Sequence, residues 1–311
     1  MKRLVTIFLS VLLACGLILS GCSGNSASNA PTTGESSGTE TADNGFKAQI
    51  TFLGSSTLAP VISSIATNFI EEHSTWDKVD PSFPAETIAI YVSAGGSGAG
   101  VKAVLDGTAD FGMLARDIKN EELEKIGDAN VFKLGIDALT ISVNPENPIL
   151  SVKDNLTTEE LRKIFSGEYK YWDELDSSLP HNEIVVVTRD LGGGAHEVFQ
   201  NAIMGDTQVR ADAIQAPSMG ALVAKIIENK DCIGYASFGM VNQNAGKLVP
   251  LKVDGVEPTE ENIINGSYKI SRPLIVVKKG ALTPAQEAFM NVVKSDAGAA
   301  VIEEMGFIPV R

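Results

Sequence analysis

Three short turns in the sequence combine hydroxyls, glycines and, in one case, an arginine. They are Gly54-Ser55-Ser56-Thr57, Ser93-Ala94-Gly95-Gly96-Ser97-Gly98 and Arg189-Asp190-Leu191-Gly192-Gly193-Gly194. Each follows an apolar run with strand patterning and precedes a run with helical patterning. Such a junction places backbone N–H groups and the positive end of a helix at the carboxyl edge of a sheet, where open α/β sheets hold ligands. Ser and Thr hydroxyls add neutral donors, and arginine is the natural bidentate partner of a tetrahedral oxyanion. Each turn alone reads as readily as a helix cap or a tight turn, because Ser, Thr and Gly favour both. Meeting in one cleft, the three would strip water from a small anion without a large positive surface field.

The elements that must position these turns follow from periodicity. Residues 47–53 read as a strand, followed by a helix with Leu58, Val61, Ile62, Ile65 and Phe69 on one face and Pro60 in its first turn. Residues 87–92 and 110–113 read as further strands around a helix at 99–105, and 131–143 is a long extended run interrupted by Gly135. Thr157 with Glu160, and Thr283-Pro284 with Gln286, have the capping-box pattern of helix starts. Between them, strands at 184–188 and 232–236 alternate with helices at 195–204 and from Ser218, and a last strand spans 269–277. Alternation of this kind implies parallel sheets covered by helices, and 311 residues suit two such lobes.

Composition narrows the function. The formal charge of −14 argues against nucleic acid and against anionic membrane as general partners. Cys15, Cys22 and Cys232 are the three cysteines, so a disulfide-stapled fold and a cysteine zinc site are excluded. Lys2 and Arg3 precede an apolar run at 4–20, and Leu19-Ser20-Gly21-Cys22 resembles the bacterial lipobox. Cleavage before Cys22 and its acylation are expected, making 1–21 a lipoprotein signal peptide. Residues 23–45, rich in Ser, Gly, Thr and Asn, read as a flexible tether. His73, His181 and His196 have no metal-ligand spacing to a carboxylate or cysteine, and Gly95-Gly96-Ser97-Gly98-Ala99 lacks the last glycine of a nucleophile elbow. A binding protein is expected rather than an enzyme, with no cofactor.

The chain from Lys47 onward resembles the PstS-type phosphate-binding proteins of phosphate-specific ABC importers. The resemblance rests on the three turns and, in order, on Asp110-Phe111-Gly112-Met113-Leu114-Ala115-Arg116-Asp117 and Leu161-Arg162-Lys163-Ile164-Phe165-Ser166-Gly167 with Tyr171-Trp172. It continues through Ile233-Gly234-Tyr235-Ala236-Ser237-Phe238-Gly239, Ser271-Arg272-Pro273-Leu274 and Gly306-Phe307-Ile308-Pro309-Val310. It implies a two-lobe α/β fold of the type II periplasmic-binding-protein class (a Venus flytrap), each lobe a sheet flanked by helices. Lobe 1 is expected at 46–138 plus about 278–311, and lobe 2 at 139–277. It further implies a monomeric extracytoplasmic receptor, held to the membrane only by its lipid, that delivers inorganic phosphate to ABC permease subunits.

Position by position, the resemblance implies phosphate contacts from Ser56 and the backbone of Thr57, from Ser97, from Arg189 and from the Gly192, Gly193, Gly194 turn. It places the acidic acceptor for protonated phosphate in the Arg116-Asp117 region. Two positions depart from the family, because Gly193 and Ala195 stand where Ser and Thr are usual. Two missing hydroxyl donors keep other readings open: another oxyanion or small ligand, or a non-transport sensor or adhesion lipoprotein with a degenerate pocket.

Overall fold

The first strand, β1 (Gln49–Gly54), alternates outward Gln49 with inward Ile50 and Phe52, and pairs in parallel with β2 (Ala89–Ala94) and β3 (Phe111–Leu114). The structure, a computed structural model, describes residues 46–310, which fall within one unit, Asn44–Arg311. The expected signal peptide, Cys22 and the tether lie outside the described residues.

The helix Ala59–His73 buries Val61, Ile62, Ile65 and Phe69 against this sheet, with Leu58 buried just before it. Pro60 stands in its first turn, where a missing N–H costs nothing. The helix after β2 begins at Ser97 rather than at residue 99, because Gly96, with φ of +88°, turns the chain into it directly.

Strand β4 (Ala129–Val143) joins two halves of one sheet. Up to Ala138 it pairs antiparallel with β8 (Ser271–Lys279), and from Leu139 with β7 (Cys232–Ser237). Beyond β7 lie β5 (Val185–Arg189) and β6 (Ile214–Ala216), both parallel to their neighbours. Among the described residues the strand order is therefore β2-β1-β3-β8-β4-β7-β5-β6, with the short strands Val249–Pro250 and Ile308–Pro309 added along β4. Each half has its own core. Phe52, Phe69, Trp76, Phe111 and Phe289 pack together in the first, and Phe165, Trp172, Phe199 and Tyr235 in the second. Both expected capping boxes are present, at Thr157/Glu160 and Thr283/Gln286.

β8 pairs with β4 from Ser271 and buries Leu274 and Val276 in the first core.

Candidate anion-binding site

The three turns identified by residue type meet across the cleft. Ser56 Oγ accepts from Arg189 Nη1 at 3.1 Å and from the backbone N–H of Met219 at 3.2 Å, the latter at the start of the helix Met219–Glu228. Gly96 faces Gly192 so closely that a Cβ on Gly96 would lie 2.8 Å from the Gly192 carbonyl oxygen. A Cβ on Gly194 would overlap Ser97 Oγ and stand 3.0 Å from Ser97 Cβ and 3.2 Å from Arg116 Cγ. Ser56, Gly96 and Ser97 hang from the first half of the sheet, and Arg189, Gly192, Gly194 and Met219 from the second. The glycines are thus what lets the lobes close. A turn of larger residues would hold them apart.

The hydroxyls are set in one sense. Ser97, which is buried, accepts from the Ala115 N–H at 3.1 Å, and buried Thr57 accepts from Arg272 Nη2 at 3.1 Å. Ser56 accepts twice, as above. A hydroxyl that accepts from the protein keeps its own hydrogen to donate, which suits a ligand made only of acceptors. The backbone of Thr57 is held within its own turn. Its N–H donates to Ser55 Oγ at 3.2 Å, as does that of Leu58 at 3.3 Å, so Ser55 closes the turn and the Thr57 side chain is what faces its neighbours.

Arg189, only 3% exposed, is anchored on every side. Nε donates to the Ala216 carbonyl at 3.1 Å, and Nη2 to Pro217 O at 3.1 Å and Asp190 Oδ1 at 2.7 Å. The Arg189 amide donates to Tyr235 Oη at 2.8 Å. With Nη1 donating to Ser56, one of the five guanidinium N–H groups has no protein acceptor among the described residues. That remaining N–H, on Nη1 beside Ser56, is the one a bound anion can accept from.

The Arg116-Asp117 region, where the acidic acceptor is expected, is built around an ion-pair cluster. Arg116 is buried and grips Glu122 through Nη1 and Nη2 at 2.8 and 2.7 Å, the Asp117 carbonyl at 2.7 Å, and Glu197 through Nε at 3.1 Å. Burial works against its charge, but Glu122 and Glu197 outweigh it and raise its pKa. The Asp117 side chain is exposed to solvent. Glu197 also meets Lys119 at 3.0 Å, so this carboxylate, on the helix after the third turn, clasps two cations of the opposite lobe.

At the third turn, Gly193 has φ of −78° and ψ of 123°, ordinary extended backbone that any residue adopts. A Cβ there would lie 2.9 Å from Arg189 Nη2 and 3.0 Å from Asp190 Oδ1, so a side chain at this position displaces the ends of Arg189 and Asp190. Ala195 is fully buried. His196 is half-buried with Nδ1 3.5 Å from Tyr235 Oη. Burial lowers its pKa, with Asp190 pulling weakly the other way, so it is neutral at pH 7.

Two residues of the cleft had no role assigned from sequence. Arg272 and Asp137 form a buried ion pair beneath Thr57, with Arg272 Nη2 to Asp137 Oδ2 at 2.7 Å. Burial pushes the Asp137 carboxyl pKa up against the pull of Arg272 and of the Ala138 and Phe238 amides. Arg272 stands within a motif of the resemblance, but its partner lies 135 residues away and nothing local marks it. Among the described residues no group of three or more His, Cys, Asp or Glu side chains is arranged to hold a metal ion.

Two α/β halves on a shared strand, closing through glycine turns over preset hydroxyl donors and one arginine, define a two-lobe solute-binding protein. Residues 26–297 match the PBP superfamily domain. The Phosphate-binding protein PstS of Staphylococcus aureus (strain USA300) is 30% identical over 312 residues, covering 95% of this chain and 85% of that protein. The chain belongs to the PBP superfamily and, within it, to the PstS type. Among solved structures, a substrate-binding protein from Clostridium perfringens, assigned to phosphate ABC transport and solved with bound phosphate, superimposes with a TM-score of 0.72. It is 28% identical, covering 85% of this chain and 100% of that one. An ABC-type phosphate transport receptor from Vibrio cholerae gives 0.64 at 26% identity, covering 83% of this chain and 99% of that one.

Proposed function

We propose that this protein captures inorganic phosphate in the cleft and delivers it to an ABC importer from the outer face of the cell membrane. The observation that carries this reading is the Ser56–Arg189 contact, which joins a hydroxyl of one lobe to a cation of the other beside Thr57, Ser97 and the Gly192–Gly194 turn. An anion at that point touches both lobes only when they are closed, so its binding energy shifts the population toward the closed form. The closed shape is then what permease subunits recognise. Residues 46–138 with about 271–310 form one moving body, and 139–270 the other.

The missing hydroxyls at Gly193 and Ala195 leave this site with Ser56, Thr57, Ser97 and one Arg189 N–H as side-chain donors, supplemented by amides at the start of the helix Gly194–Phe199. A monomer acting alone suffices for such a site, and it needs no cofactor. Cys22 carries the lipid, and the tether keeps the body near the membrane. Among the described residues no helix is long and apolar enough to cross a membrane.

Calorimetric titration with phosphate, arsenate, sulfate and molybdate tests the ligand. Saturable phosphate binding with weaker sulfate binding is expected, and a preference for another anion would reassign the site. Intact mass of the membrane-bound form tests the anchor: residues 1–21 still attached would rule out acylation at Cys22.

A further inference from the structure

Arg272 stands directly opposite Asp137 in the antiparallel pair of β8 and β4, and both side chains are buried. Nε and Nη2 converge on Asp137 Oδ2 at 2.9 and 2.7 Å, while Asp137 Oδ1 accepts from the Phe238 N–H at 3.0 Å. That carboxylate therefore binds β8 to the helix that follows β7, at the place where the chain passes between lobes. Its orientation leaves the far side of the guanidinium free to reach forward. Nη1 donates to the Ala115 carbonyl at 3.3 Å, and Nη2 donates to Thr57 Oγ1 at 3.1 Å. Ala115 is also the residue whose N–H donates to Ser97 Oγ.

A guanidinium has only donors. A threonine hydroxyl facing it must accept, and its single hydrogen is then turned away from the arginine. A buried ion pair is on average no more stabilising than apolar residues of the same volume, so stability alone gives little reason for this one. We propose that Arg272, held by Asp137, is a positioning residue for the anion site: it fixes the Thr57 hydroxyl as a donor to a bound tetrahedral oxyanion. Lysine cannot replace it, because one ammonium cannot fork between Asp137, Ala115 and Thr57 in this plane. The assignment rests on the phosphate reading and adds to it a residue that never touches the ligand.

A double-mutant cycle on the purified protein separates this role from a purely structural one. Phosphate affinity is measured by calorimetry for the wild type, Thr57→Val, Arg272→Lys and the double variant, with thermal melting to confirm folding. Each single change is expected to weaken binding about three- to tenfold. The double variant is expected to bind within about twofold of Thr57→Val, because Arg272 acts through that hydroxyl. Thr57→Ser, which keeps the hydroxyl, should bind like the wild type. If Arg272→Lys does not fold, Arg272→Gln with Asp137→Asn, a neutral hydrogen-bonded pair, takes its place in the cycle. Losses that multiply, or an Arg272 variant with wild-type affinity, would overturn the role of Arg272 while leaving the phosphate reading intact. A wild-type protein that binds neither phosphate nor sulfate would overturn both.

Discussion

Gly194→Ala should prop the cleft open without harming either lobe. The added methyl group would overlap Ser97 Oγ and press on Ser97 Cβ at 3.0 Å and Arg116 Cγ at 3.2 Å, all on the opposite lobe. Relieving that overlap requires the lobes to part by on the order of 1 Å. The Arg189–Ser56 bond at 3.1 Å and the Met219–Ser56 bond at 3.2 Å would then exceed hydrogen-bond reach. At about 1 to 1.5 kcal/mol each, losing both costs roughly 2–3 kcal/mol of closure, or a drop in phosphate affinity of about thirty- to 150-fold. Alanine is the better helix former at this position, so the melting temperature of the free protein should hold or rise. Calorimetry gives the affinity, and small-angle scattering the radius of gyration with and without phosphate. A folded variant that binds as tightly as the wild type and contracts as much on adding phosphate would refute closure through this contact.

Arg189→Ala removes the cation that reaches across the cleft to Ser56 and leaves Asp190 unpaired beside it; phosphate affinity measured by calorimetry should fall at least about tenfold, from roughly 1.5–3 kcal/mol for a charge-assisted bond. Glu197→Gln breaks the clasp on Arg116 and Lys119, and because Glu197 is partly exposed the loss should be only about two- to fivefold, shrinking in high salt. A salt-independent loss would point to a different cause. Acid should weaken the fold through His196. Its folded pKa lies below the 6.5 of the free side chain, so the unfolded chain takes up the proton first and stability present above pH 6.5 is lost as pH falls below it. Melting temperatures between pH 8 and 5 should fall more steeply for the wild type than for His196→Gln, and equal slopes would count against it.

Local signals in the sequence were sufficient where the physics is local. The capping boxes at Thr157/Glu160 and Thr283/Gln286, the buried face of the helix Ala59–His73 and the strand before Arg189 all depend on residues within a few positions of one another. The three turns could also be read, because a strand-to-helix junction dictates hydroxyls and glycine whatever lies opposite. What lies opposite could not. Gly194 is glycine because Ser97 approaches it from the other lobe, and Arg116 is tied by Glu122 and Glu197 rather than turned toward an anion. The resemblance points to the Arg116-Asp117 region, and there the Asp117 side chain is solvated. Arg272 pairs with Asp137 across β8 and β4, a register that depends on where the chain recrosses between lobes. Hydroxyl polarity is likewise set by partners distant in sequence, Arg189 for Ser56 and Arg272 for Thr57.

The most direct test is a crystal structure of the purified protein grown with inorganic phosphate. One tetrahedral anion is expected in the closed cleft, within hydrogen-bond distance of Ser56 Oγ, Thr57 Oγ1, Ser97 Oγ and Arg189 Nη1. Phosphate bound away from these four atoms, or a cleft that closes at saturating phosphate with no anion inside, would contradict the account.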